Sequence, residues 1–195
     1  DCRRTLEMAE EMLAEGNHQY FAKKLGVYEA WRAWYTFRNK ADYESYNARL
    51  KQYDRVSDEN IAVANVAIKG KYTLPCEVLN GHEKTITGLM PEDERTSRYF
   101  APYAGKRPDS VSEMDWHSLS RQAAATIKAV IYPALTKQLD WYTKSYKPAC
   151  AKAPGVSAQP GGYKYYAFRI KEETTTDLTA DQIHNIGLSE VARIK

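Results

Sequence analysis

One apolar stripe limits this chain more than anything else in it. Leu119, Ala123, Ile127, Val130, Ile131, Leu135, Leu139, Tyr142 and Tyr146 recur at three- and four-residue spacing. That period is the signature of one face of an α-helix, and it predicts the longest helix of the chain over about Ser118 to Tyr146. A stripe of this length must be covered by other elements, so the rest of the fold is built against it. Pro133 falls inside and is expected to kink the helix, because its ring clashes with the carbonyl four residues back.

The same period governs the segments on either side. Leu6, Ala9 and Leu13 open a short helix that Gly16 and Asn17 end. Tyr20 to Phe37 carries Trp31, Trp34 and Tyr35 among lysines and arginines. Tyr43, Tyr46, Leu50 and Tyr53 fall on one helix face. Ser57 is a candidate cap for a further helix through Ile61, Ala64 and Ile68, closed by Gly70. Pro75 suits the first turn of the next, with Val78, Leu79, His82, Ile86 and Leu89 inward. Tyr163, Tyr166 and Ile170 share a face of the penultimate helix. No strand alternation longer than a few residues and no internal repeat occurs. The expected class is all-α, a multi-helix array.

Two stretches break the pattern. Residues 91–115 are polar and contain Pro91, Pro102, Gly105 and Pro108, which predicts a long loop serving either as a lid or as surface filler. Residues 147–162, KPACAKAPGVSAQPGG, form a second flexible loop, read as a crossover within one helical unit spanning residues 1–195.

Composition narrows the function classes. With 28 basic and 25 acidic residues well interspersed, the net charge of +3 gives no nucleic-acid footprint. No apolar run approaches the ~20 residues needed to span a bilayer. The N-terminus, DCRRTLEMAEEML, is no signal peptide, although a signal could have been removed before it. Tyrosine is over-represented, 15 against 4 Phe, and its apolar body with a polar tip suits helix interfaces and water-lined clefts. Cys2, Cys76 and Cys150 lie far apart without a CxxC spacing, which argues against a zinc knuckle or a redox motif. Two readings fit them: buried or free thiols, or a single Cys76–Cys150 bridge in a secreted protein. We expect the first.

Residues with chemistry are scattered. His82-Glu83 begins HEKTI, and Ile86 stands where a zinc-binding HExxH helix needs its second histidine, so a half-buried His followed by a surface Glu is expected. His18, His117 and His184 have no ligand partners at useful spacing. There is no GxSxG elbow, P-loop or GxGxxG. Thr174, Thr175, Thr176 and Asp177 offer hydroxyls and a carboxylate, but read more simply as turn and cap residues. Glu92-Asp93-Glu94 reads as solvated loop. No catalytic set and no metal ligand is assigned within these residues.

The last 23 residues, ETTTDLTADQIHNIGLSEVARIK, are the most specific. Thr179 and Gln182 form a capping box, each side chain satisfying the other's orphan amide. Ile183, Ile186, Val191 and Ile194 then share a face, and no Gly, Asn or Pro follows them. By capping rules this is a helix stopped in mid-stripe, and we expect the chain to be part of a longer one.

Three passages in order resemble one family. TTTDLTADQIHNIGLSEVARI is similar to its TTT-x-LTPEEIH-x-(I/L)G-x-x-EVARI segment. YKPACAKAPGVSAQPGGYKYYAFRI and ADYESYNARLKQYDRVSDENIAVANVAIKGKYTLPCEVL resemble two upstream passages. The family is the one catalogued as domain of unknown function 885, and the resemblance covers roughly residues 41–195. Here Ala180-Asp181 replaces the usual Pro-Glu, Asp54-Arg55 stands where proline is common, and Cys76 and Cys150 are outside the pattern.

The resemblance implies an all-α, gluzincin-like zinc metallopeptidase of several hundred residues. Its HExxPGH motif would lie downstream of Lys195, and zinc would belong to the full-length protein. It implies that Tyr166, Thr174, Thr175, Thr176 and His184 flank a substrate cleft, that the partners are the missing catalytic portion and a peptide, and that the address is secreted or periplasmic. The expected function is therefore the N-terminal helical part of a zinc-dependent peptidase. The alternatives are a non-catalytic helical interaction module and a wholly structural helical domain.

Overall fold

The computed structural model describes residues 6–10, 14 and 36–195, and within them every regular element is helical. Residues 6–10 are helical. The helix end at Gly16 and Asn17, the tryptophan segment, His18 and Cys2 lie outside the described residues. Seven α-helices follow: α1 (Lys40–Leu50), α2 (Tyr53–Gly70), α3 (His82–Thr87), α4 (Glu113–Thr126), α5 (Tyr132–Trp141), α6 (Gly162–Thr174) and α7 (Ala180–Ile194). Among the described residues there is no strand, only an isolated parallel bridge between Pro75 and Ala151. The all-α expectation holds.

The predicted long helix is present, and it starts earlier than its apolar stripe. Ser112 caps it, its hydroxyl accepting from Asp115 N–H at 3.1 Å, so α4 begins at Glu113. Between α4 and α5 the backbone widens into one π turn, Ile127–Ile131, whose far end bonds Tyr132 N–H to Ile127 C=O. Pro133 sits two positions after its end. A turn holding an extra residue moves the upstream carbonyls away from the ring, which is how the helix passes through a proline. A second π turn, Tyr142–Tyr146, carries the rod to a final 3₁₀ turn at Lys147–Ala149. The predicted stripe faces the core, with Leu119, Ala123, Ile127, Ile131, Leu135, Tyr142 and Tyr146 buried and Val130 and Leu139 partly so.

Two boundaries differ from the expected ones. The face Tyr43–Tyr46–Leu50–Tyr53 belongs to two helices, since the chain breaks at Lys51-Gln52 and α2 starts at Tyr53. Ser57 is accordingly no cap. It lies inside α2, only 2% exposed, where a small residue lets helices approach. The helix predicted from Pro75 is likewise split. Cys76–Leu79 is one 3₁₀ turn, Asn80 is extended, and Gly81 at φ +81° restarts the chain into α3. That offset leaves Val78 63% exposed while Leu79 and Ile86 are buried.

The polar stretch before α4 contributes to the core. Tyr99, Phe100 and Tyr103 are buried on a 3₁₀ turn, Arg98–Tyr103, and Val111 is buried in the loop just before α4. Their polar atoms are satisfied inside. Tyr46 OH donates to Tyr99 C=O at 2.6 Å, and the Tyr53 and Tyr99 hydroxyls meet at 2.8 Å. Tyr103 OH donates to Asn47 Oδ1 at 2.8 Å, and Asn47 Nδ2 donates to Leu119 C=O at 2.9 Å. Burying a hydroxyl is tolerable only when it keeps a partner, and these six groups partner one another or the backbone.

The cysteines overturn the free-thiol expectation. Cys76 and Cys150, 74 positions apart, form a disulfide with Cα atoms 5.1 Å apart. Sequence spacing could not reveal this, because only the packing of the rod's end beside the α2–α3 connection brings them together.

Candidate functional site

The candidate site is the open groove where α6 turns into α7. It starts from Pro160-Gly161-Gly162. Gly161 has φ +68°, a conformation that disfavours any side chain, and a Cβ on Gly162 would stand 1.8 Å from Val156 C=O. Both glycines therefore serve to lay α6 against the Val156–Ala158 turn, its main packing partner. Phe168, 6% exposed, is the helix's buried apolar anchor. Arg169 pairs with Glu172 and Glu173 along the outer surface.

The threonine run builds the corner. Thr174 Oγ1 donates to Ile170 C=O at 2.7 Å and meets Thr176 Oγ1 at 2.8 Å. Thr175 occupies the left-handed region at φ +60°, a strained conformation for a β-branched residue, and ends α6. The predicted capping box then starts α7: Gln182 N–H donates to Thr179 Oγ1 at 3.2 Å, and Thr179 N–H donates to Gln182 Oε1 at 2.8 Å.

Between the two helices lies a groove of about 720 Å³. Its walls include Tyr163, Tyr166, Ile170, Thr176, Leu178 and Ala180, with Lys164, Lys171, Asp177 and Asp181 also contributing. Tyr163 is 78% and Tyr166 49% exposed. Of the residues that sequence reasoning singled out, Tyr166 and Thr176 line this groove. Thr174 and Thr175 instead shape the corner behind it, and His184 is exposed on the second turn of α7 outside the lining. Tyr163, Ile170 and Leu178 are additions. The first two shared a predicted helix face with Tyr166, and that shared face was their only signal. The arrangement can receive an extended apolar or aromatic group, with hydroxyls and charges of both signs at the margin.

The other histidine neighbourhood is structural. His82 is half-buried and packs edge-on against Tyr142 with ring centroids 4.8 Å apart, and burial pushes its pKa down against the opposing pull of Glu83. Glu83 pairs with Lys147, which holds its carboxyl below the usual range. His117 faces Glu113 at 3.6 Å on the surface. Among the described residues no three His, Cys, Asp or Glu side chains converge as a metal site. No helix of the described residues is long and apolar enough to cross a membrane.

The described residues form an all-helical fold in which α6 is anchored and α7 buries no side chain. The chain belongs to the family described as "Bacterial protein of unknown function (DUF885)", whose model matches residues 3–195. Among solved structures it is similar to the crystal structure of the "putative lipoprotein from Colwellia psychrerythraea", at 26% identity and a TM-score of 0.75. That match covers 82% of this chain, which spans only 28% of the other protein's length. No curated protein matches the chain.

Proposed function

We propose that this chain is the N-terminal helical part of a longer zinc-dependent peptidase, with the α6–α7 groove as one wall of its substrate cleft. The observation that carries the reading is the uncovered face of α7. Ile186, Val191 and Ile194 are 51–74% exposed along it, beside a groove whose tyrosines are also open. Several large apolar side chains left exposed along one helix face mark a place where something else packs or binds. Two facts support a remainder of the same protein as that something: the family resemblance, and a structural neighbour more than three times the matched length. Zinc and the catalytic base would reside in the remainder. The neighbour's description as a lipoprotein agrees with an extracytoplasmic address for this chain.

The test uses the full-length protein and a fluorogenic peptide library. Chelator-sensitive hydrolysis is expected, and Tyr166→Ala should raise KM with kcat largely kept, because the residue would bind substrate without touching the reacting bond. Absence of hydrolysis, or a KM indifferent to both Tyr163 and Tyr166, overturns the reading. A second reading, a non-catalytic interaction module, draws on the same α7 face. It would be favoured if the coding frame after Lys195 held no HExxPGH and the chain bound another protein through Ile186 and Val191.

A further inference from the structure

The α2–α3 connection and the end of the long rod are sewn together along one seam. Thr73 Oγ1 donates to Ala149 C=O at 2.7 Å, and Leu74 N–H donates to Tyr146 OH at 3.1 Å. Ala151 N–H donates to Leu74 C=O and Cys76 N–H to Ala151 C=O, both at 3.0 Å. Gln159 Nε2, from just before α6, reaches back to Thr73 C=O at 2.8 Å. The Cys76–Cys150 disulfide links the seam covalently. Everything C-terminal to it, namely the crossover, α6 and α7, leaves the molecule from this point.

The main core barely extends into that departing segment. Its buried cluster runs from Tyr43 to Tyr146, and Phe168 is buried apart from it. Across the seam the Thr73–Ala149 and Leu74–Tyr146 bonds are part-buried and the Gln159–Thr73 bond is buried, and each hydrogen bond adds only about 1 kcal/mol net, so the bonds alone hold the arm modestly. A cross-link there does what packing does elsewhere.

We propose that the Cys76–Cys150 bridge is a redox-sensitive clasp that holds the α6–α7 arm in register on the α1–α5 core. In the oxidised chain the arm and its groove are fixed. In the reduced chain the seam opens, and the arm moves while the core stays folded. Closing the clasp removes two protons and two electrons from the two thiols. They pass through a mixed disulfide to a disulfide donor, such as a dithiol–disulfide oxidoreductase, which is itself reduced to two thiols. Lys152 Nζ lies 3.9 Å from Cys76 Sγ, and an ammonium there favours the thiolate, making Cys76 the sulfur that attacks or leaves first. Both cysteines are half-buried, so donor and reductant can reach them. The working form then belongs to an oxidising compartment.

The experiment is hydrogen–deuterium exchange with mass spectrometry on the full-length protein, before and after dithiothreitol, alongside peptide mapping with thiol alkylation. Before reduction, one linked peptide pair should contain Cys76 and Cys150, both resisting alkylation. After reduction, amides of 162–174 should exchange at least about tenfold faster while those of 119–135 keep their protection. The double variant Cys76→Ala/Cys150→Ala should show the reduced pattern without reductant. Any of three results overturns the proposal: both thiols free in oxidatively expressed protein, unchanged exchange over 162–174 in the reduced chain or the variant, or equal loss of protection in 119–135. The last would make the bridge a support of the whole fold.

Discussion

The α1–α5 core and the α6–α7 arm use the same residue type in opposite ways. In the core Tyr46, Tyr99, Tyr142 and Tyr146 are at most 1% exposed, packed against other rings and hydrogen-bonded. In the arm Tyr163 and Tyr166 stand open beside a groove. A phenol is apolar enough to fill a core if its hydroxyl finds a partner, and polar enough to wait in water for a ligand. Abundant tyrosine therefore says nothing about location, and the neighbours decide it. Where several helices converge, the rings become core. Where only two meet, they remain surface.

The largest test of this contrast is alkaline pH. Burial pushes the phenols of Tyr43, Tyr103, Tyr132, Tyr142 and Tyr146 above their usual pKa. Unfolded tyrosines ionise near pH ~10 while these hold their protons, so the native state binds more protons there and stability falls as pH rises through that range. Phenolate absorbance should lag behind that of free tyrosine and then jump together with loss of the helical circular dichroism signal. Smooth ionisation near pH 10 with helices intact would break the contrast.

Next in size is Tyr46→Ala, which opens a cavity and orphans Tyr99 C=O. It should cost about 3–5 kcal/mol by denaturant titration, whereas Ile194→Ala on α7 should stay within about 0.5 kcal/mol. Gly162→Ala drives a methyl into Val156 and should cost about 1–3 kcal/mol, with the loss of exchange protection confined to α6. If that loss spreads to α4, the arm is less separate than described. Thr179→Ala removes the capping box at a cost of about 1 kcal/mol. It should speed exchange at the start of α7 and leave the global midpoint unchanged.

Much of the arm was legible from local signals alone. The Thr179–Gln182 box and the amphipathic face of α7 depend on residues within a few positions of one another, and both are present as read. The long rod was legible for the same reason, through its period. The groove was legible only in part. Tyr166 and Thr176 lie on its walls, but the turn that sets them opposite Leu178 depends on Thr175 adopting a left-handed conformation that its side chain disfavours.

What the sequence determined by itself was the helical class, the stripe from Leu119 to Tyr146 and the cap of α7, because period and capping act over one or two turns. Tertiary structure alone decided three things: that a polar, proline-rich stretch delivers Tyr99, Phe100, Tyr103 and Val111 to the core, that Cys76 meets Cys150, and that α7 keeps its apolar face uncovered. Each depends on which distant segments come to lie side by side. A hydroxyl, a thiol or a methyl carries no mark of the partner that the fold will bring to it.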